Sequence, residues 1–295
     1  MVSQPYATNP RQDPIRVSIG HILEKEMAKR KSDITALLHG LRIYDLGRNL
    51  DEDTPKVPGH PSFELASVRD HSVNFGEDGR SVAIERLSFG SHSGTHIDAL
   101  AHIAHEGHLY GGVPASVLPR GGHPLGADEL PPVVCRGVLL DLPAALGIDS
   151  LAAGQPIRDT ELIAASQRQG VEIGTGDAVL LRTGWAARHY TDPSIFLGMS
   201  GGAPGLEITG ARWLAQRGIS IVGSDTVSFE VVPVGTGLAR MPVHICLLVE
   251  NGIPIIEVMD LEELARDRGY EFVFIVAPIK ISRSSGSPVR PLALV

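Results

Sequence analysis

Two cysteines in 295 residues, Cys135 and Cys246, exclude a disulfide framework. Both sit among apolar neighbours, in VVCRG and HICLLV, and read as buried free thiols. Aromatic residues make up 5% of the chain, so the stacking platforms that hold single-stranded nucleic acid are scarce. No block of basic residues occurs and the formal net charge is -8, which argues against nucleic acid as a partner. No apolar run is long enough to span a membrane, and the N-terminus lacks the basic-then-apolar pattern of a secretory signal. A cytoplasmic protein without a membrane partner is expected. Also missing are the Gly-x-Gly-x-x-Gly turn of dinucleotide folds, the phosphate-loop Gly-Lys-Ser/Thr and the Gly-x-Ser-x-Gly elbow of serine hydrolases.

Apolar residues, by contrast, reach 43%, enough for a sizeable core, and 33 Gly with 21 Pro promise many turns. Short strands dominate residues 41–90: LRIYDL at 41–46, then 63–68 and 81–89. In the second half strands alternate with helices. GVLLDL at 137–142, DAVLLRT at 177–183, ISIVG at 219–223 and IPIIEV at 253–258 read as strands, and residues 272–281 as the last one. Helices are expected over 161–169, closed by Gly170, over 208–217, closed by Gly218, over 244–249 and over 261–268. The tail from Ser285 is too short and proline-rich to be a domain. The pattern gives one α/β domain over residues 41–295, a mixed sheet with flanking helices. Residues 1–40 precede it as a polar arm and a charged helix at 21–38, suited to oligomer contact.

Five of the 12 histidines fall between Ser88 and His108. The core of that stretch is His92-x-Gly94-Thr95-His96-x-Asp98-x-x-x-His102. On an extended backbone His92, His96 and Asp98 share one face, whereas on a helix Asp98 would leave it. Two imidazoles and a carboxylate suit Zn²⁺, Mn²⁺ or Fe²⁺ and leave positions for water. His102 is either a fourth ligand or a proton carrier. Two residues of the second half fit the same chemistry. Glu257 interrupts an apolar strand, where a carboxylate is costly unless paired or metal-bound, and His244 precedes an apolar run. The loops 49–60 and 107–126 are candidates for shaping the pocket; Tyr110 and His123 of the second, Gly- and Pro-rich loop are candidates for its wall, with a plain surface loop as the alternative. His60 and His71 are isolated and read as surface or pocket histidines. Arg182, Arg212 and Arg240 are candidates for an anionic group, with surface salt bridges as the alternative.

These residues carry a resemblance to the cyclase family of metal-dependent hydrolases, which includes kynurenine formamidases, isatin hydrolases and dienelactone hydrolases. The family signature, His-x-Gly-Thr-His-x-Asp with a histidine four residues on, stands complete at 92–102. The likeness continues through Gly137–Asp141, Pro204–Leu206, Arg212–Leu214, Val222–Asp225, Pro242–His244, Glu257 and Gly286–Arg290. It implies a swivelling β/β/α fold and a homodimer or homotetramer. It implies His92, His96 and Asp98 as ligands of a first Mn²⁺ or Zn²⁺, and His102 as the catalytic histidine. His244 and Glu257 would help hold a second ion, with Asp98 and Glu257 bridging. The chain has Asp98-Ala-Leu-Ala-His102 where many members carry Asp-Ala-Pro, so one or two ions per subunit fit. The expected reaction is hydrolysis of a small amide, cyclic amide or lactone, a small organic carbonyl substrate, by metal-activated water. Its rivals are a lyase or cyclase abstracting a proton next to a carbonyl, and a metal-stabilised binding protein without catalysis.

Overall fold

Four apolar runs build the centre of the sheet. The strands β5 (Val133–Asp141), β7 (Ala178–Arg182), β9 (Ile221–Ser224) and β10 (Ile255–Glu257) lie parallel in that order. β7, β9, β10 and the Gly137–Asp141 half of β5 are buried on both faces, which is why they read as continuous apolar sequence and not as an alternation. The computed structural model describes residues 40–72 and 76–295. The expected arm and helix of residues 1–40 lie outside the described residues, apart from Gly40. Residues 43–295 form one compact unit.

Among the described residues the main sheet has nine strands, in the order β1-β13-β11-β5-β7-β9-β10-β4-β12. The four parallel strands are flanked by antiparallel ones: β11 (Glu271–Val276), β13 (Leu292–Leu294) and β1 (Ile43–Asp45) on one side, β4 (His96–Asp98) and β12 (Gly286–Pro288) on the other. The sheet is therefore mixed, as the sequence predicts. Val138, Leu140, Val179, Leu181, Val222 and Ile255 point to one face. There they pack beneath the helices α1 (Leu142–Leu146), α2 (Asp159–Gln169) and α5 (Ile208–Ala215). Two short helices, α3 (Trp185–His189) and α4 (Pro193–Phe196), precede α5. Leu139, Leu180, Ile221, Ile256 and Ile97 point the other way, against Tyr44, Phe272 and Phe274. All of these but Phe272 and Tyr44 are at most 1% exposed, and a large apolar side chain so buried contributes about 1.5–3 kcal/mol.

The helix predicted at 161–169 starts two residues earlier, because the Arg158 amide donates to the Glu161 carboxylate at 2.8 Å and closes the first turn. Gly170, at φ 68°, ends it as expected. The last strand stops at Val276, short of the predicted Ile281. The tail corrects the sequence reading further. Its residues supply both β12, which pairs with β4, and β13, which is sandwiched between β1 and β11. A short hairpin of β2 (Glu64–Arg69) and β3 (Ile84–Ser88) stands apart from the main sheet, and β6 (Pro156–Ile157) pairs with β8 (Gly205–Leu206). Among the described residues no helix is long and apolar enough to cross a membrane.

Candidate metal centre

β4 is three residues long, yet it carries two of the predicted ligands. Side chains alternate along it, so His96 and Asp98 face the site while Ile97 enters the core behind the sheet. Its neighbour β10 runs antiparallel and sets Glu257 opposite His96. The stretch, expected on a strand end or an extended loop, divides between a turn and a strand: His92 precedes β4. It sits in the turn before β4 and folds back, so that its Nδ1 lies 2.7 Å from Asp98 Oδ1. Gly94, at φ +59°, makes that return possible. His244 arrives from α6, a turn at Pro242–His244 that continues as a π-helical turn over Ile245–Glu250.

The five side chains meet. His96 Nε2 lies 3.5 Å from both Asp98 Oδ1 and Glu257 Oε2. His244 Nε2 lies 3.7 Å from Asp98 Oδ2 and 3.3 Å from Glu257 Oε1. Each carboxylate thus turns one oxygen to His96 and the other to His244. His92, His96 and Asp98 form one trio of donors, and Asp98, His244 and Glu257 a second, each within 4.8 Å. His102 stands beside them, its Nε2 3.9 Å from Asp98 Oδ2 and its ring centroid 4.0 Å from that of His92.

The outward-facing ring nitrogens are all engaged. His96 Nδ1 is 2.9 Å from the Gly94 carbonyl, His92 Nε2 is 2.9 Å from Ser285 Oγ, and His244 Nδ1 is 2.9 Å from Glu230 Oε2. Such partners fix ring orientation and leave the other nitrogen for a cation. Glu230 also accepts from the Val243 amide at 2.9 Å, so one carboxylate orients the His244 ring and caps its turn. Glu230 and Ser285 were not singled out in the sequence. Glu230 had the signal that marked Glu257, a carboxylate inside an apolar run, here FEVVPV.

Burial works against the charge on His96, Asp98, His102, His244 and Glu257. It disfavours the imidazolium at His96, but Asp98 and Glu257 outweigh it and hold the pKa up at about 9. The same opposition at His244 ends at about 10, through Glu230, Glu257 and Asp98. His102 has fewer anionic contacts, and burial brings it down to about 4 with help from His92, His244 and His96. Burial and the neighbouring Asp98 raise Glu257, whereas His102, His92 and His96 hold Asp98 well below the usual carboxylate range despite its burial. Among the described residues, Asp98 Oδ2 and Glu257 Oε1 are buried and receive no hydrogen bond. Two such oxygens facing imidazole nitrogens are what a divalent cation would satisfy, so the donor set fits one.

The cluster opens into a cavity of about 170 Å³. His60, Pro55 and Val57 wall it from the loop after β1, and Val227, Leu238 and Met241 from the second half. The loop 107–126 does not line it. Tyr110 packs instead against Gly252, and His123 is half-buried elsewhere. His71 is exposed and bonded to Ser81 in the hairpin segment. Arg182 is held by Asp141 and Glu262 at 2.8 Å each, while Arg212 and Arg240 are exposed, so none of the three lines the cavity.

The Cyclase family model matches residues 44–231. An isatin hydrolase of Roseibium aggregatum is 26% identical over 266 residues, which are 88% of this chain and 94% of that protein. A kynurenine formamidase of Bacillus cereus is 24% identical over 247 residues, 83% of this chain and 94% of that one. The crystal structure of a novel cyclase superposes with a TM-score of 0.79 at 26% identity, over 88% of each chain. His244 and Glu257 lie beyond the matched segment; the register of β10 on β4 brings Glu257 to the site, and the Glu230-capped turn at Pro242–His244 brings His244.

Proposed function

The chain belongs to the cyclase family, and from that premise we propose that it is a metal-dependent hydrolase of a small amide, cyclic amide or lactone. The observation that carries this is the pair of donor trios sharing Asp98, with two unpartnered carboxylate oxygens, on the wall of an apolar cavity. In this reading His92, His96, Asp98, His244 and Glu257 hold one or two ions, Mn²⁺ or Zn²⁺. A cation there supplies a Lewis acid for a carbonyl oxygen and lowers the pKa of water from 15.7 toward about 7.

The side chains do the rest. Asp98 and Glu257, each turned to both trios, compensate the positive charge. His102 is neutral at pH 7 because burial depresses its pKa, so its ring can accept a proton from water and return it to the leaving nitrogen or oxygen. Its place beside Asp98 Oδ2, with part of the ring accessible, suits that task. Val57, Val227 and Val258 exclude bulk water from the cavity, and His60 offers a polar edge across from the ligands. The relatives' names indicate cyclic and formyl amides as the first substrates to try.

The test is a screen of the Mn²⁺-loaded protein against isatin-like lactams, N-formyl anilines, cyclic imides and dienelactones. Hydrolysis of one of these, lost on treatment with a chelator, is expected. Turnover that survives chelation, or none on any of the four, would count against the reading.

A further inference from the structure

The residue after Glu257 has an unusual backbone. Val258 lies at φ +59°, a region that β-branched residues rarely occupy. Both of its backbone polar groups are held. Its amide donates to the Thr226 carbonyl at 2.9 Å, and its carbonyl accepts from the Thr95 hydroxyl at 2.7 Å. The next amide, of Met259, donates to the Ser224 carbonyl at 2.9 Å. The Val258 side chain is buried with Trp185, Phe196 and Val57, and it also lines the cavity. Thr95 is 4% exposed and lies in the turn that carries His92 into β4. Its hydroxyl oxygen also accepts from the Arg48 amide at 2.9 Å. One hydroxyl therefore ties together the ligand strand, the turn beyond Glu257 and the root of the loop that bears Pro55, Val57 and His60.

We propose that Thr95 is a positioning residue for the metal site: its hydroxyl clamps the left-handed Val258 peptide and so aims the Glu257 carboxylate. This rests on the reading that the cluster holds a divalent cation. β10 ends at Glu257, and beyond it the turn is tied to the β9 side through the Val258 and Met259 amides, which donate to Thr226 and Ser224. A valine left to itself relaxes toward negative φ, and that rotation moves the shared Glu257–Val258 peptide and the carboxylate attached to it. The relaxation is opposed at the carbonyl by Thr95 and at the amide by Thr226. Removing the hydroxyl takes away one of the two hydrogen bonds that hold the Val258–Met259 peptide, the other being from the Met259 amide to Ser224, and leaves a buried acceptor without its donor. It also releases the Arg48 amide, so the loop and the carboxylate loosen together.

The experiment compares the full-length wild type with T95S, T95V, V258G and T95V/V258G. Each is stripped with a chelator, checked for folding by its melting curve, and titrated with Mn²⁺ alone. T95V keeps the side chain's volume and loses the hydroxyl, and its Mn²⁺ affinity should fall by about 10–100-fold, the usual cost of losing a partner behind the ligands. T95S keeps the hydroxyl and should stay within about threefold of wild type. Glycine adopts φ +59° without strain, so the T95V loss should largely disappear in the V258G background. A merely space-filling role for Thr95 would move neither the T95S rescue nor this non-additivity. The proposal is overturned if folded T95V binds Mn²⁺ like wild type, if T95S loses as much as T95V, or if the T95V loss is equal in both backgrounds. Should T95V not fold, the double variant decides: a folded, Mn²⁺-binding protein supports the clamp, and an unfolded one overturns it. A wild type that takes up no Mn²⁺ would remove the metal reading itself, a result distinct from all of these.

Discussion

Gly286 offers a sharp perturbation of the site from behind. It sits on β12 opposite Asp98, outside the positive-φ region, so alanine suits its backbone. A Cβ there would lie 2.5 Å from His92 Cε1 and 2.9 Å from its Nδ1. Ordinary contact begins at 3.4 Å, so the ring must retreat by 3.4 − 2.5, about 0.9 Å. It cannot do so freely, since Asp98 Oδ1 holds one nitrogen at 2.7 Å and Ser285 Oγ the other at 2.9 Å. The new methyl would also come within 2.9 Å of the Ile97 carbonyl and push β12 from β4. Overpacking of this kind costs about 1–3 kcal/mol of stability. A misplacement near 1 Å costs about 100-fold in turnover. The assay for G286A is Mn²⁺ titration of the stripped protein, with its melting temperature, against G201A as control. Gly201 has open space at its Cβ position and no positive φ, so G201A should behave as wild type. If G286A binds Mn²⁺ and turns over like wild type, the argument from His92 geometry fails.

Other perturbations separate the roles of the remaining residues. His102→Ala should keep nearly all the metal and lose about 10²–10⁴-fold in turnover, measured by metal analysis beside kinetics; loss of the ion would make His102 a ligand. Glu230→Gln replaces one acceptor oxygen facing the Val243 amide or the His244 ring with an amine, and should weaken Mn²⁺ binding by about 10–100-fold. An unchanged binding isotherm would show that Glu230 does not orient His244. Asp225 is fully buried, accepts from Thr183 through Oδ1, and among the described residues has no hydrogen bond at Oδ2. Burial raises its pKa, so the folded state keeps the proton longer than the unfolded state. Its contribution to stability therefore declines as pH rises from about 4 through the folded-state pKa. Relative to D225N, wild type should lose melting temperature across that range, and a pH-independent difference would contradict the assignment.

Much of the site could be read from the chain because its chemistry is local. The spacing of His92, His96, Asp98 and His102 needs no tertiary information, and Glu257 stands out as a carboxylate in an apolar strand. What could not be read depends on strand register. β4 and β12 are three residues each, too short for periodicity to reveal, and their pairing brings Gly286 and Ser285 behind His92 across more than 180 residues of chain. The same holds for the tail, whose prolines suggest an irregular end although its intervening residues complete two ladders. Of the two long loops expected to shape the pocket, 49–60 lines the cavity and 107–126 does not. The loop 107–126 is long and glycine-rich, but the segment bearing Pro55 and His60 lines the site, tethered through Arg48 and Thr95 to β4. Central strands such as AVLLR at 178–182 were legible because burial on both faces leaves a continuous apolar run.

Anomalous diffraction from crystals soaked in Mn²⁺ tests the central claim most directly. The account predicts a peak about 2.0–2.2 Å from an Asp98 oxygen, shared with His92 and His96 or with His244 and Glu257, and with at least one position left to solvent. A map without density at Asp98, or an ion enclosed entirely by protein donors, would contradict it.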